Sequence, residues 1–550
     1  MCLFIYHFLI TKYATSVVIF SSREYLAMVD KEELPKFATQ VTVAIFVSRI
    51  FGYFRDVATA YAFGTNVLAD AFYMAYRIPN LFRRIFGEGT LSAAYVPVLT
   101  EVLRKRGQSE AQKLFLDVFT IMSFILVGLT VIGIIFAQQL VPLIAYGYQF
   151  EKDYQKLNLT VNLTRIVFPY LLVICLSALQ MATLQALEVF FLPNLAPVLL
   201  SLAEILYLFT IFHITKYKIE GLAVAVVVGG IGQLLLQFFI LQRKGWKSTI
   251  NFNIFRYGVH PGVKKIFLLM LPAVGSFSVE QVNTFVDALC ASFLPTGSVT
   301  ALYYSNRILQ LPLALFGTAT AIASLPVFSQ HATENDYNKL KNELTLSLRI
   351  SYLMIIPATV GLLFFSEDII KVLFFRGAFD EHSVELTSKA LFYYSVGLFG
   401  YTGAKITATA FYAMQDIKTP VKVAFLCLSL NIALNLILME LLGVGGLALA
   451  SSISSICNFL MLLLLLRLRV KMNLGITNII KSTAAFAVVS TILVLTVSKS
   501  LRFIGIENEY LFVALLCLLT AGGYFAVLYI FGNNEVLHYV NIVKAKFSKK

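Results

Sequence analysis

A chain of 550 residues that is 58% hydrophobic and only 13% charged has too few charged groups for a soluble protein, in which they make up about a quarter. Its 44 Lys and Arg against 30 Asp and Glu leave a formal charge of +14, which fits the basic cytoplasmic loops of a polytopic membrane protein and requires no nucleic-acid partner. Apolar runs of about 20 residues, enough to cross a bilayer core, recur from end to end, and about fourteen spans of an all-α membrane protein are expected.

Residues 1–36 form an N-terminal extension. Its apolar stretch CLFIYHFLI–TKYATSVVIF lacks a small-residue cleavage site and is divided by Lys12, so neither a signal peptide nor a span is assigned. Translation from Met1 or from Met28 is left open. An N-lobe of six spans is expected over 37–243. Within it Arg104, Lys105, Arg106 and Lys113 form a basic loop that charge bias places in the cytoplasm, and orientation then follows by alternation. QFEKDYQKLN falls outside, followed by NLT triplets at Asn158 and Asn162 that match a glycosylation pattern common by chance. The loop with Arg243, Lys244, Lys247, Arg256, Lys264 and Lys265 returns to the cytoplasm and is the expected boundary between lobes.

A C-lobe of six spans is expected over 266–467, and FFRGAFDEHS around Arg376 falls outside despite its charge. Two further, nearly charge-free spans occupy 479–531. The tail 532–550, with Lys544, Lys546, Lys549 and Lys550, is cytoplasmic, so both termini are expected on that side.

The chemistry concentrates between residues 48 and 101, where Arg49, Arg55, Asp56, Asp70, Arg77, Arg83, Arg84 and Glu88 interrupt apolar sequence. An arginine at the centre of a span costs about 2.5–3.5 kcal/mol on insertion scales, so such residues face a bundle interior or a wet cavity. Residues seven apart share a helix face to within about 20°, which aligns Arg49 with Asp56, and Asp70 with Arg77 and Arg84 unless Pro79 kinks that helix. Five arginines against three acids describe a cationic lining for an anionic ligand. Helix-gluing ion pairs are the competing explanation, and for Arg84 with Glu88, four apart, the better one.

Sliding the chain by 230 residues superposes AFYMAYRIPNL on ALYYSNRILQL, pairing Ala71, Tyr73, Arg77, Ile78 and Leu81 with Ala301, Tyr303, Arg307, Ile308 and Leu311. A shift of 225 matches Gly221–Ala223 and Ala225 with Gly446–Ala448 and Ala450. Such offsets describe two parallel six-helix lobes with a substrate site between them. The second lobe adds Glu280 and Asp287, seven apart, and Asn306, Arg307 and Gln310. The two acids serve equally well as partners of an arginine.

The six cysteines and six histidines are dispersed, and neither GxxxxGK[ST] nor GxSxG occurs. Nothing recommends an enzyme, an ATP-driven pump, a metal or a cofactor.

RIPNLFRRIFGEGTLSAAYVPVLTE, with SRIFGYFRD, GSVTALYYSNRI and FYAMQDIKTPVK, resembles the MurJ (MviN) lipid II flippases of bacteria, within the multidrug/oligosaccharidyl-lipid/polysaccharide exporter superfamily. The resemblance implies two six-helix lobes around a central cavity plus two C-terminal helices. It implies a carrier in the bacterial inner membrane that moves the undecaprenyl-diphosphate-linked peptidoglycan precursor from the cytoplasmic to the periplasmic leaflet by alternating access, for cell wall synthesis. Lipid II is then the cargo, membrane lipids surround it, and the cell-wall synthesis machinery is a conceivable further partner. By motif position the resemblance makes Arg49, Arg55, Arg83 and Arg307 cavity arginines, with Asp56, Asp70, Arg77 and Glu88 nearby. Arg77 stands where relatives carry Lys, and Asn306 where some carry Asp. The two extra helices would help form a groove for the lipid tail. A flippase for another polyprenyl-diphosphate oligosaccharide differs by cargo alone. A cation-coupled multidrug antiporter would present an acidic, aromatic cavity instead, and a non-transporting scaffold would leave the charge unexplained.

Overall fold

The computed structural model describes residues 34–83, 90–150, 152–252, 254–470, 476–506, 508–533 and 536–537. Arg84, Glu88, the first 33 residues and most of the C-terminal tail lie outside these. All regular structure among the described residues is helical. A chain that must satisfy its backbone N–H and C=O groups without water has few other options.

The principal helices are α1 (Leu34–Phe63), α2 (Val67–Phe82), α3 (Thr90–Ile135), α4 (Tyr154–Val167), α5 (Pro169–Ala186), α6 (Pro197–Phe209), α7 (Lys218–Arg243), α8 (Pro261–Ala291) and α9 (Ser298–Pro312). There follow α10 (Ala319–Thr333), α11 (Tyr337–Phe364), α12 (Ser366–Phe374), α13 (Glu381–Val396), α14 (Leu398–Ala413), α15 (Lys418–Leu442), α16 (Val444–Val470), α17 (Ile476–Phe503) and α18 (Glu509–Ile530). Ten helical segments among the described residues are long and apolar enough to cross a membrane. Other expected spans fall on shorter or more charged helices. α2 has 16 residues, α13 and α14 have 16 each with a break at Gly397, and α1 carries Arg49, Arg55 and Asp56.

The breaks have local causes. Gly64 ends α1 at φ +57°, and a Cβ there would lie 2.1 Å from the Ala378 carbonyl oxygen, so only glycine fits both the left-handed backbone and the contact. α3 is two helices meeting at Gly107 (φ 85°, ψ 176°). α9 reaches Pro312 and passes into a π-helical turn over Leu313–Thr318, as a proline that removes a helical hydrogen bond commonly induces.

By packing the chain falls into two units. One runs to Thr300 and includes Arg376–Asp380; the other comprises Ala301–Phe375 and Glu381 onward. In the first unit α3 lies on α5, α7 on α5 and α6, α6 on α1, α4 on α2, and α8 on α3. The loop after α7, where the sequence suggested a lobe boundary, is thus fastened within this unit. Trp246 is buried edge-on to Phe115 with centroids 5.9 Å apart. Asp117, fully buried on α3, accepts hydrogen bonds from Asn251 Nδ2 at 2.8 Å and the His260 backbone N–H at 2.9 Å. Lys265 reaches Glu101 at 2.7 Å.

In the second unit small residues bring α14 and α16 together, and a Cβ on Gly400 would lie 2.8 Å from the Ile456 backbone nitrogen, the close approach that membrane helices favour. Ser452 and Ser454 of α16 donate to the Tyr393 and Cys427 carbonyls at 2.7 Å each. α17 covers α11 and pairs with α18. There Phe486 and Leu528 join the core, and the Tyr524 hydroxyl donates to the Leu353 carbonyl at 3.0 Å.

Candidate functional site

On α1, Arg55 and Asp56 form the most defined charged group of the first unit. Arg55 donates to Asp56 Oδ1 from Nε at 3.1 Å and from Nη2 at 2.7 Å. Its Nη1 faces Glu204 Oε1 of α6 at 3.6 Å. Both acids are buried, at 1% and 4% exposure, while the Arg55 side chain retains 13%. One edge of the guanidinium is therefore held by Asp56 and the other is presented to a second carboxylate, a fork geometry that a lysine could not offer. Glu204 was not among the sequence candidates. It is the only Asp, Glu, Lys or Arg between Glu188 and Lys216, and that isolation was the signal that could have found it.

Asp70 begins α2, where Asn66 caps the helix by accepting from the Ala69 N–H at 3.0 Å. It does not present its carboxylate alongside Arg77. Oδ2 accepts from Lys156 Nζ at 3.0 Å and the Gly297 N–H at 2.7 Å, and Oδ1 from the Thr300 N–H and hydroxyl at 2.9 and 2.7 Å. This buried carboxylate caps the first turn of α9 and neutralises a buried ammonium that also lies 4.3 Å above the Tyr148 ring. Its role is structural. The sequence reading put Lys156 in the external loop QFEKDYQKLN. The structure starts α4 at Tyr154, capped by Asp153 accepting from the Lys156 N–H at 3.0 Å. The two NLT triplets are helical as well, with buried Thr160 and Thr164 donating back to the Lys156 and Thr160 carbonyls at 2.8 and 2.7 Å.

Arg77 is half-buried and donates from Nη1 to the Thr284 carbonyl of α8 at 3.0 Å. Arg83, also half-buried, donates from Nε to Asn80 Oδ1 at 2.9 Å, one turn back. On the same helix Tyr76 stacks on Phe72, centroids 6.1 Å apart, and tilts against Tyr170 of α5 at 5.8 Å. Arg49 is exposed on α1, a turn and more from the buried Asp56 expected on its face. Asp287 is half-buried on α8. In the second unit Arg307 and Asn306 are half-buried on α9, and Asn306 Oδ1 accepts from Gln310 Nε2 at 2.6 Å. Glu280 belongs to α8, but its side chain, like Glu88 and Arg84, lies outside the described set.

Arg55, Arg77 and Arg83 thus belong to one packed unit, each partly accessible and each oriented by a hydrogen bond. Such guanidinium forks match phosphate oxygens bidentately, and their low-dielectric surroundings strengthen each contact.

A family model described as lipid II flippase MurJ matches residues 59–517. A lipid II flippase MurJ of Burkholderia cenocepacia is 36% identical over 428 residues, spanning 78% of this chain and 83% of that one. A probable lipid II flippase MurJ of Vibrio cholerae is 34% identical, over 77% and 81% of the two chains. Among solved structures, a lipid II flippase MurJ in an inward closed conformation superposes with a TM-score of 0.74 at 28% identity, covering 90% of this chain and 99% of its own. An inward-facing multidrug resistance transporter of the MATE family shares the fold with a TM-score of 0.65 at 14% identity, over 84% of this chain and 98% of its own.

Proposed function

The chain belongs to the lipid II flippase MurJ family, and on that premise we propose that its arginines hold the diphosphate of lipid II during transfer between leaflets. It is a multi-pass membrane carrier that flips lipid II for peptidoglycan synthesis. The observation that carries the site assignment is Arg55: a partly accessible guanidinium inside a membrane helix, its Nε and Nη2 edge clamped by Asp56. The reading adds Arg49, Arg77, Arg83 and Arg307 as further ligands, with Asp56, Asp287 and Asn306 as supporting groups. No covalent step is required, so binding and release suffice.

Its family suggests the bacterial inner membrane, and its basic loops, the one around Arg376 excepted, follow the positive-inside bias with both termini cytoplasmic. Movement is by alternating access of two lobes, with residues 37–243 and 266–467 as their spans and the helices of 479–531 bordering the lipid tail. An anionic cargo moving outward gains about 2.3 kcal/mol per charge per 100 mV of inside-negative potential.

Complementation of a conditional lipid II flippase depletion tests this reading. Wild type should rescue growth, whereas Arg55→Ala and Arg307→Ala, at matched membrane levels, should not. Full rescue by both variants would remove these arginines from the site, and failure of well-expressed wild type would point to another lipid-linked saccharide.

A further inference from the structure

We propose that Glu204 is a proton-binding site linked to the cargo: it is the resident counter-anion of Arg55 in the empty carrier and takes up a proton when the diphosphate claims that arginine. The inference rests on the reading of Arg55 as a diphosphate ligand. Glu204 lies near the middle of the Phe191–His213 span and is 4% exposed. A carboxylate so placed must be paired or neutral, because an uncompensated buried charge is strongly unfavourable. Among the described residues the one cation within 4 Å is Arg55, at 3.6 Å. That distance exceeds a hydrogen bond, and the same guanidinium already donates twice to Asp56. Glu204 therefore depends on a shared cation.

Among the described residues no other neighbour replaces it. α6 packs on α1, on α7 and on the turn Ile211–His213. α1 brings Arg55 and Asp56, a cation and a competing anion. α7 carries charge only at its ends, Lys218, Glu220 and Arg243, and His213 is exposed on its turn. On α6 itself Tyr207 is turned away, donating to the Lys218 carbonyl at 2.7 Å. From α5 the Tyr170 phenol lies within electrostatic range of Glu204 and Arg83. When a diphosphate draws the Arg55 fork to itself, Glu204 loses its cation while a second anion arrives nearby. Both changes favour the neutral acid. The carboxylate then binds one proton from water, and departure of the cargo returns Arg55 and releases that proton.

The test is lipid II binding to purified full-length carrier in nanodiscs, stepped from about pH 5 to about pH 8, a range in which a diphosphate diester does not titrate. Wild-type affinity should strengthen by up to about tenfold per unit of falling pH wherever Glu204 is charged in the empty carrier and neutral in the loaded one. Glu204→Gln, which is neutral throughout, should bind tightly with that dependence lost. Independently of any variant, adding lipid II to weakly buffered wild type should take up about one proton per cargo. An unchanged pH slope in Glu204→Gln, or wild-type binding without pH dependence and without proton uptake, would overturn the proposal while leaving the flippase reading intact. Wild-type affinity retained in Arg55→Ala would instead overturn the diphosphate assignment and the proposal with it.

Discussion

At the scale of single residues, two charged groups of α2 reach partners on three other helices, α4, α8 and α9. Asp70 and Arg77 lie seven apart on α2 and point the same way, yet seven residues are about 10 Å of axial rise, enough to reach different partners. Asp70 meets Lys156 and the start of α9, and Arg77 meets the Thr284 carbonyl of α8. The Asp70 cluster sets up an ordered pair of losses. Asp70→Ala strands a buried ammonium and uncaps α9, and should lower stability by about 3–5 kcal/mol. Lys156→Met should cost less, because the carboxylate keeps the Gly297 N–H and both donors of Thr300. Thermal unfolding of the two variants in detergent checks the order; equal losses would mean that the lysine, not the cap, dominates.

At the scale of elements, the loop after α7 shows how one buried acid organises a polar segment. Asp117 fixes Asn251 and the His260 backbone, while His260 Nδ1 accepts from the Gly262 N–H at 3.0 Å to cap α8. Burial pushes the His260 imidazole below its ordinary value of 6.5, opposed by Glu110, whose Oε2 lies 3.5 Å from Nε2. The folded loop therefore binds a proton less readily than the unfolded chain, and its stability falls as pH drops below about 6.5. Hydrogen-exchange protection of residues 251–262 should decline over that window. His260→Asn, which keeps a capping oxygen but does not titrate, should abolish the decline. Sequence marked this loop by its basic charge, but Asp117 and His260 gave no sign of meeting, since 143 positions separate them.

At the scale of the whole molecule, α17 and α18 carry no acid or base in their middles, and the sequence marks them only as two nearly charge-free spans. Within the second unit they are part of the core. Phe486, Tyr524 and Leu528 share a buried cluster with Leu353 and Ile356 of α11, and Val494, Phe512 and Leu516 form another with Val360 and Phe365. Ending the chain after Val470 should uncover that face of α11, several large apolar side chains at about 1.5–3 kcal/mol each. The expected outcome is markedly lower yield of monodisperse protein in detergent gel filtration than for the full chain. A truncated chain as monodisperse and heat-stable as the full one would show the helices to be dispensable for the unit.

What the sequence by itself determined was the class of molecule and its family. Lipid admits backbone only as helices or closed barrels and tolerates few charges, so composition and apolar runs of helical length were enough to indicate a polytopic helical membrane protein, and the motifs between residues 48 and 101 its family. Only the tertiary structure decided which partner each charge meets. Asp70 became a cap, Lys156 moved from loop to core, and Glu204 became the partner of Arg55. The physical reason is that the cost of a buried charge depends on the groups within about 4 Å of it, and those groups come from helices far apart in the chain.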